Sequence, residues 1–363
     1  MSKLSLEHLE IRDLLSVASR FDGQVLSLTG NNDTPLHTVL IRPALAAGTI
    51  EVVADGVVST YSTPTAINYL DAAGNSQFTN RAAIAGRITL GDGNQIVNTT
   101  AAGSTITAGD GNNFIQALAG NSTIATGNGA NNVYGGPGDT ITVGSGFNIV
   151  YDIFPGNQTV TVAAHAGTDY LFIGPGTTLR GAQPGDRVAR FFAPGRTPGS
   201  GTLVLEDRTL YFTASNAGDT YVASNFGDQV QVTTISNGRL AQNYFNRADV
   251  DLIANFGGSG RDTFINTTTI PDVQYGAGGQ NVLIGGRGPL NLLKAGGAAS
   301  NSVAFGRSPV YNDLAGSGSP ATTSVLVGNS GAFNVFRTNS ATDVLANRQR
   351  NDVVISLFPD LVA

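Results

Sequence analysis

The strongest constraint on how this chain folds is an interval. Between residues 86 and 180, Leu90-Gly91-Asp92-Gly93-Asn94-Gln95-Ile96-Val97 returns as Ala108-Gly109-Asp110-Gly111-Asn112-Asn113-Phe114-Ile115. It returns again as Thr126-Gly127-Asn128-Gly129-Ala130-Asn131-Asn132-Val133 and as Val143-Gly144-Ser145-Gly146-Phe147-Asn148-Ile149-Val150. The leading glycines Gly91, Gly109, Gly127 and Gly144 are 18, 18 and 17 residues apart, and Ile88, Ile106, Ile124 and Ile141 keep the same step. A fixed period of this kind marks a solenoid, because one short unit cannot bury its apolar face alone and must stack on the next. One period is one coil: glycines take the corners that need positive φ, and alternate apolar residues point inward. Stacking then places like on like, so Asn113, Asn131 and Asn148 are expected to form an amide ladder, each bonded to the coils on either side.

The source of the chain's polarity fits this reading. Only 13% of residues are charged while 47 are glycine, so the polar surface comes from Asn, Thr, Ser and Gln, which suit stacked strands and tight turns better than amphipathic helices. A net charge of -6 lacks the basic footprint of nucleic-acid recognition, and no nucleic-acid partner is expected. With no cysteine, disulfides, thiolate zinc sites and cysteine nucleophiles are all excluded. No apolar run is long enough for a transmembrane helix, which needs about 18 residues or more.

The array is one part of a plan that occurs twice. Residues 25 to 85 hold strand-like runs such as Val25-Leu26-Ser27-Leu28-Thr29, Thr38-Val39-Leu40-Ile41 and Thr49-Ile50-Glu51-Val52-Val53, ending in Ala66-Ile67-Asn68-Tyr69-Leu70-Asp71 before the glycines begin. Residues 202 to 265 follow suit with Thr209-Leu210-Tyr211-Phe212, Val230-Gln231-Val232 and Ala248-Asp249-Val250-Asp251-Leu252-Ile253, then a glycine array from Gly257. The expected architecture is all-β: a right-handed parallel β-solenoid (β-helix) of two similar modules in tandem. Residues 1–20 form an N-terminal export or capping segment, 21–180 the first module, 181–201 a connector and 202–363 the second module with its C-terminal cap. The connector rests on Pro184, Pro194 and Pro198, with Arg180, Arg187, Arg190 and Arg196 around it.

Two resemblances sharpen this. Leu9, Glu10, Arg12, Leu14 and Leu15 resemble the LEPR-xLL element at the start of many exported bacterial surface proteins, with Ile11 where that pattern has proline. It implies export to the cell surface or extracellular space. The repeats resemble the RTX calcium-binding nonapeptide, G-G-x-G-x-D-x-U-x with U apolar, in which stacked turns clasp Ca²⁺ through aspartate and backbone carbonyls. Gly257-Gly258-Ser259-Gly260-Arg261-Asp262-Thr263-Phe264-Ile265 is a complete copy, and Gly167-Thr168-Asp169-Tyr170-Leu171 a partial one. The resemblance implies Ca²⁺ as a cofactor held at Asp262, with Gly258 and Gly260, and at Asp169. Elsewhere Gln95, Asn113, Asn131, Asn148 and Asn281 replace the aspartate. A neutral amide is a weaker ligand for a hard cation, so the first array is expected to rest on Asn ladders rather than on calcium.

Catalytic candidates are few. The histidines His8, His37 and His165 lie far apart. His165 and Asp169 share a turn but no nucleophile motif accompanies them, so His165 reads as a turn residue. Asp92, Asp110 and Asp139 are candidate carboxylates of a polysaccharide-acting β-helix enzyme, which needs a pair on one face. Stacked like charges repel, so they read first as solvated corners or ion ligands. The expected function is a non-enzymatic surface scaffold, adhesin or fibre subunit that self-associates. The alternatives are the polysaccharide-acting enzyme and a calcium-dependent module binding a glycan or protein.

Overall fold

The computed structural model describes residues 17–31, 36–152, 156–190, 200–296, 302–317, 323–338, 343–349 and 352–356. The LEPR-xLL-like segment lies outside the described residues. The chain divides into two units, Met1–Phe191 and Phe192–Ala363. Each is a parallel β-solenoid, and the helical structure described is a single 3-10 turn at Arg247–Asp249.

In the first unit every coil lends one strand to each of two sheets, sheet A of nine strands and sheet B of ten. Thr105–Ala108 goes to A and Asn113–Gln116 to B, then Thr123–Thr126 to A and Asn131–Tyr134 to B. The register equals the sequence period: Ile88, Ile106, Ile124 and Ile141 stand side by side in A. Val97, Ile115, Val133, Val150 and Leu171 do so in B. All nine are fully buried, and each contributes on the order of 1.5–3 kcal/mol relative to exposure. The period is therefore the spacing at which apolar columns line up.

Both units open with the same device. In the first, Val17–Phe21 pairs antiparallel with Val25–Gly30 at the edge of sheet A, and Leu36–Pro43, Thr49–Ala54 and Val57–Ser62 make an antiparallel meander at the edge of B. In the second, Ser200–Glu206 pairs with Thr209–Ser215 at the edge of sheet C, and Thr220–Phe226, Gln229–Ser236 and Arg239–Asn246 make the meander at the edge of sheet D. Parallel coils follow in both.

Two local expectations need correction. The run Ala248 to Ile253 is not one strand: Arg247–Asp249 is a 3-10 turn, and the strand begins at Leu252. The Asn246 side chain accepts from Ala248 N at 3.1 Å and starts that turn. Arg187–Arg190, placed in the connector for its prolines, is a strand of sheet B paired with Tyr170–Ile173. Its partner supplies the ladder that local composition cannot show.

Candidate calcium turns and corner ladders

At one corner of the first unit the chain turns into sheet B, and the residue opening each strand points inward. Asn113, Asn131 and Asn148 occupy this place in register and are buried. Asn113 Nδ2 donates to Asn131 Oδ1 at 2.8 Å, and Asn131 Nδ2 to Asn148 Oδ1 at 2.9 Å. The same nitrogens reach back into their own turns, from Asn113 to Gly109 O at 3.1 Å and from Asn131 to Gly127 O at 3.0 Å. Gln95, one coil earlier, donates to Gly74 O at 3.0 Å and Gly91 O at 3.1 Å. Each amide NH₂ thus sits among several oxygens, the surroundings a cation would have.

The ladder changes character at its far end. Asp169 accepts from Asn148 N at 2.8 Å and from Asn148 Nδ2 at 2.9 Å, and its own N donates to Asp186 Oδ1 at 3.0 Å. Burial holds the Asp169 carboxyl above the usual range. His165 comes to the same place: its side chain is 1% exposed, with Nε2 2.9 Å from Asp186 Oδ1 and 3.6 Å from Asp169 Oδ2. His165 is a turn residue with both ring nitrogens partnered, and the stacking adds Asp186, which the sequence does not single out. The signal lay in the 17-residue step from Asp169 to Asp186.

Asp92 and Asp110 are side-chain caps rather than an acidic pair. Asp92 Oδ1 accepts from Asp110 N at 2.8 Å, Asp110 Oδ1 from Asn128 N at 2.7 Å, and Asn128 Oδ1 from Ser145 N at 3.0 Å. Each side chain holds the backbone of the next coil, which offsets repulsion between stacked acids. The glycine beside them is obligatory: Gly111 has φ +130°, and a Cβ there would lie 2.1 Å from Gly93 O. Asp139 is fully buried, accepting from Ser122 N and Gly136 N, each at 2.7 Å. Burial raises its carboxyl, and Asp152 nearby is pushed up to about 8, by burial first and by Asp139 second.

In the second unit Asp262 is fully buried. Its Oδ2 accepts from Gly258 N at 2.8 Å, its Oδ1 from Asp219 N at 2.9 Å, and its N donates to Asn281 Oδ1 at 3.0 Å. Burial pushes its carboxyl up to about 6. Gly258 and Gly260 mark close backbone approach, since a Cβ would meet Ser215 O at 2.1 Å or Gly218 N at 2.2 Å. The opposite corner carries a ladder that the sequence reading missed. Asn291 Nδ2 donates to Asn312 Oδ1 at 3.0 Å, Asn312 to Asn334 at 2.9 Å, and Asn334 to Asp352 Oδ1 at 3.0 Å. Its signal is a glycine six residues before each asparagine: Gly285, Gly306 and Gly328. A Cβ on any of the three would fall 2.5 to 2.7 Å from that asparagine's side chain.

Calcium takes about six to eight oxygen ligands. Coils with an inward amide do not fit it, because the Asn nitrogen already lies against the turn carbonyls. Carboxylates suit it better, and Asp219 and Asp262 stand on successive coils. The family model of the RTX calcium-binding nonapeptide repeat, four copies long, matches residues 89–124 and, overlapping, 107–142. Each placement covers 36 residues, two of the 18-residue coils. No curated protein and no solved structure gives a significant match.

Proposed function

We propose that this chain, which carries RTX calcium-binding nonapeptide repeats over residues 89–142, is a non-enzymatic surface or extracellular protein of a bacterium, an adhesin or scaffold that works through the outer face of sheet A. RTX repeats on a β-solenoid fit a secreted or surface repeat protein. Among the described residues no helix is long and apolar enough to cross a membrane.

The observation that carries the reading is a pair of threonine columns. Thr105, Thr123, Thr140, Thr159 and Thr178 stand in register on sheet A. Thr89, Thr107, Thr142 and Thr161 form the second column, interrupted by Ala125. They are exposed or half-buried, while the Ile and Val between them are buried. Hydroxyls therefore repeat about every 4.8 Å across the coils and roughly 6.7 Å along each strand. Charge enters these columns at Arg87 and Arg180. Between these two arginines an uncharged grid of donors and acceptors suits a repetitive polar surface such as a packed polysaccharide.

The enzymatic alternative draws no support from the acids singled out in the sequence. Asp92, Asp110, Asp139, Asp169 and Asp262 all accept backbone N–H groups that hold coils together. Calcium at the stacked acids would stiffen the corners. Among the described residues Val344–Ala346 and Val353–Ser356 are the last strands of their sheets, and such edges would serve self-association. Cosedimentation with insoluble polysaccharide particles tests the reading. The chain should be retained, and Thr140→Lys with Thr142→Lys should cut retention at least tenfold at unchanged circular dichroism. Retention indifferent to these changes, or none on a broad panel, refutes it.

A further inference from the structure

We propose that His165, Asp169 and Asp186 form a site for one divalent cation of the zinc class, bound through His165 Nε2 and one carboxylate oxygen of each aspartate. This goes beyond the surface reading and does not depend on it. The side chains come from two successive coils: His165 and Asp169 precede the strand Tyr170–Ile173, and Asp186 precedes its register partner Arg187–Arg190. Their ligand atoms lie within 4.8 Å of one another, with Nε2 2.9 Å from Asp186 Oδ1 and 3.6 Å from Asp169 Oδ2. Two atoms each about 2.1 Å from one zinc ion are roughly 3 to 3.5 Å apart. The site is near coordination spacing as it stands.

A second observation fixes what the site demands. His165 Nδ1 lies 2.8 Å from Ala163 O, and a carbonyl only accepts, so Nδ1 carries the hydrogen. On the neutral ring Nε2 is then a bare lone pair, aimed at two carboxylate oxygens that are also acceptors. The three side chains are 0 to 1% exposed, and acceptors that face one another there call for a cation between them. An imidazole whose other nitrogen donates to a backbone carbonyl is the usual setting of a metal-bound histidine. The acids are held too: Asp169 by Asn148 N and Nδ2, Asp186 by Gln183 N at 2.6 Å and Asp169 N at 3.0 Å.

A proton on Nε2 is the competing cation, but it sets one positive charge against two carboxylates, whereas a divalent ion on the neutral ring balances both. Ligand type separates this site from the calcium turns. Imidazole suits zinc and other transition metals, while calcium and magnesium prefer oxygen throughout.

The test uses the full chain without a histidine tag, stripped with chelator and titrated calorimetrically with zinc chloride in calcium-containing buffer. One ion per chain should bind. In ¹⁵N-histidine spectra of the unaltered protein, zinc should shift the ring signals of one of the three histidines. His165→Gln and Asp186→Asn should each weaken binding tenfold or more. The proposal is overturned if no zinc binds, if both variants bind it as tightly as the parent, or if the His165 ring stays protonated on both nitrogens with zinc present. The spectra decide even where a variant does not fold.

Discussion

Changing Asn131 to alanine should destabilise the first unit by about 3 kcal/mol, and changing it to aspartate should cost more, although only one heavy atom differs. The Asn131 amide donates to Asn148 Oδ1 at 2.9 Å, Gly127 O at 3.0 Å and Gly129 O at 3.3 Å, and accepts from Asn113 Nδ2 at 2.8 Å. Each such bond is worth about 1 kcal/mol net, and alanine leaves buried partners unmatched. In a unit of this size the thermal midpoint should fall by roughly 6 to 12 °C. Aspartate turns the donor into an acceptor facing three oxygens. Its carboxyl would be raised in the folded state above its unfolded value, so its fold is most stable below the unfolded value and loses stability as pH rises. At neutral pH in chelator the aspartate variant should melt lowest. Acid should rescue it, and so should millimolar calcium, which turns this coil into the ordinary repeat; the alanine variant should respond to neither. Far-ultraviolet circular dichroism on heating and in urea reads these differences. An aspartate variant as stable as the parent in chelator at neutral pH would refute the reasoning, as would an alanine variant within about 0.5 kcal/mol of it.

Glycines should divide by what their Cβ would meet. Gly111→Ala should cost well over 2 kcal/mol, whereas Gly103→Ala, at φ +73° with nothing within 4 Å, should cost only about 1 kcal/mol of backbone strain; equal midpoints in urea would refute this. The pH profile should slope downward. Burial places Asp262 at about 6, Asp272 at about 7 and Asp152 at about 8. These raised groups contribute stability that is complete below the unfolded carboxyl value, about 4, and lost as pH rises through 6 to 8. In chelator the midpoint should therefore fall between pH 5 and pH 9, and Asp152→Asn should flatten the upper part for the first unit. A midpoint that rises across this range contradicts the assignment. Light scattering should show mass increasing with concentration if the strand edges at Val344–Ala346 and Val353–Ser356 serve self-association; a monomer at all concentrations removes that part of the proposal.

How much of this was legible depended on whether the information was local or periodic. The step linking Ile88, Ile106, Ile124 and Ile141 is periodic, and it gave both sheet register and core. Asn113, Asn131 and Asn148 were readable for the same reason. The second-unit ladder was harder, because Asn291, Asn312 and Asn334 recur at 21 and 22 residues within dissimilar turns. There only the paired glycine keeps the rhythm. The roles of the acids were not legible. Nothing in the residues near Asp92 or Asp139 says that a carboxylate will cap the backbone of a neighbouring coil or lie buried, since both follow from stacking. The partner of His165 was hidden for the same cause: Asp186 is 21 residues away, in a stretch whose prolines suggested a loop.

The central claim is that neutral amide ladders and apolar columns, rather than bound calcium, hold the solenoid together. It is tested most directly by melting the full chain in excess chelator and in millimolar calcium, followed by far-ultraviolet circular dichroism. The account predicts a β-rich, cooperatively melting protein in chelator, with a modest rise in midpoint when calcium is restored. An unfolded spectrum in chelator that turns to β structure only on adding calcium would contradict it.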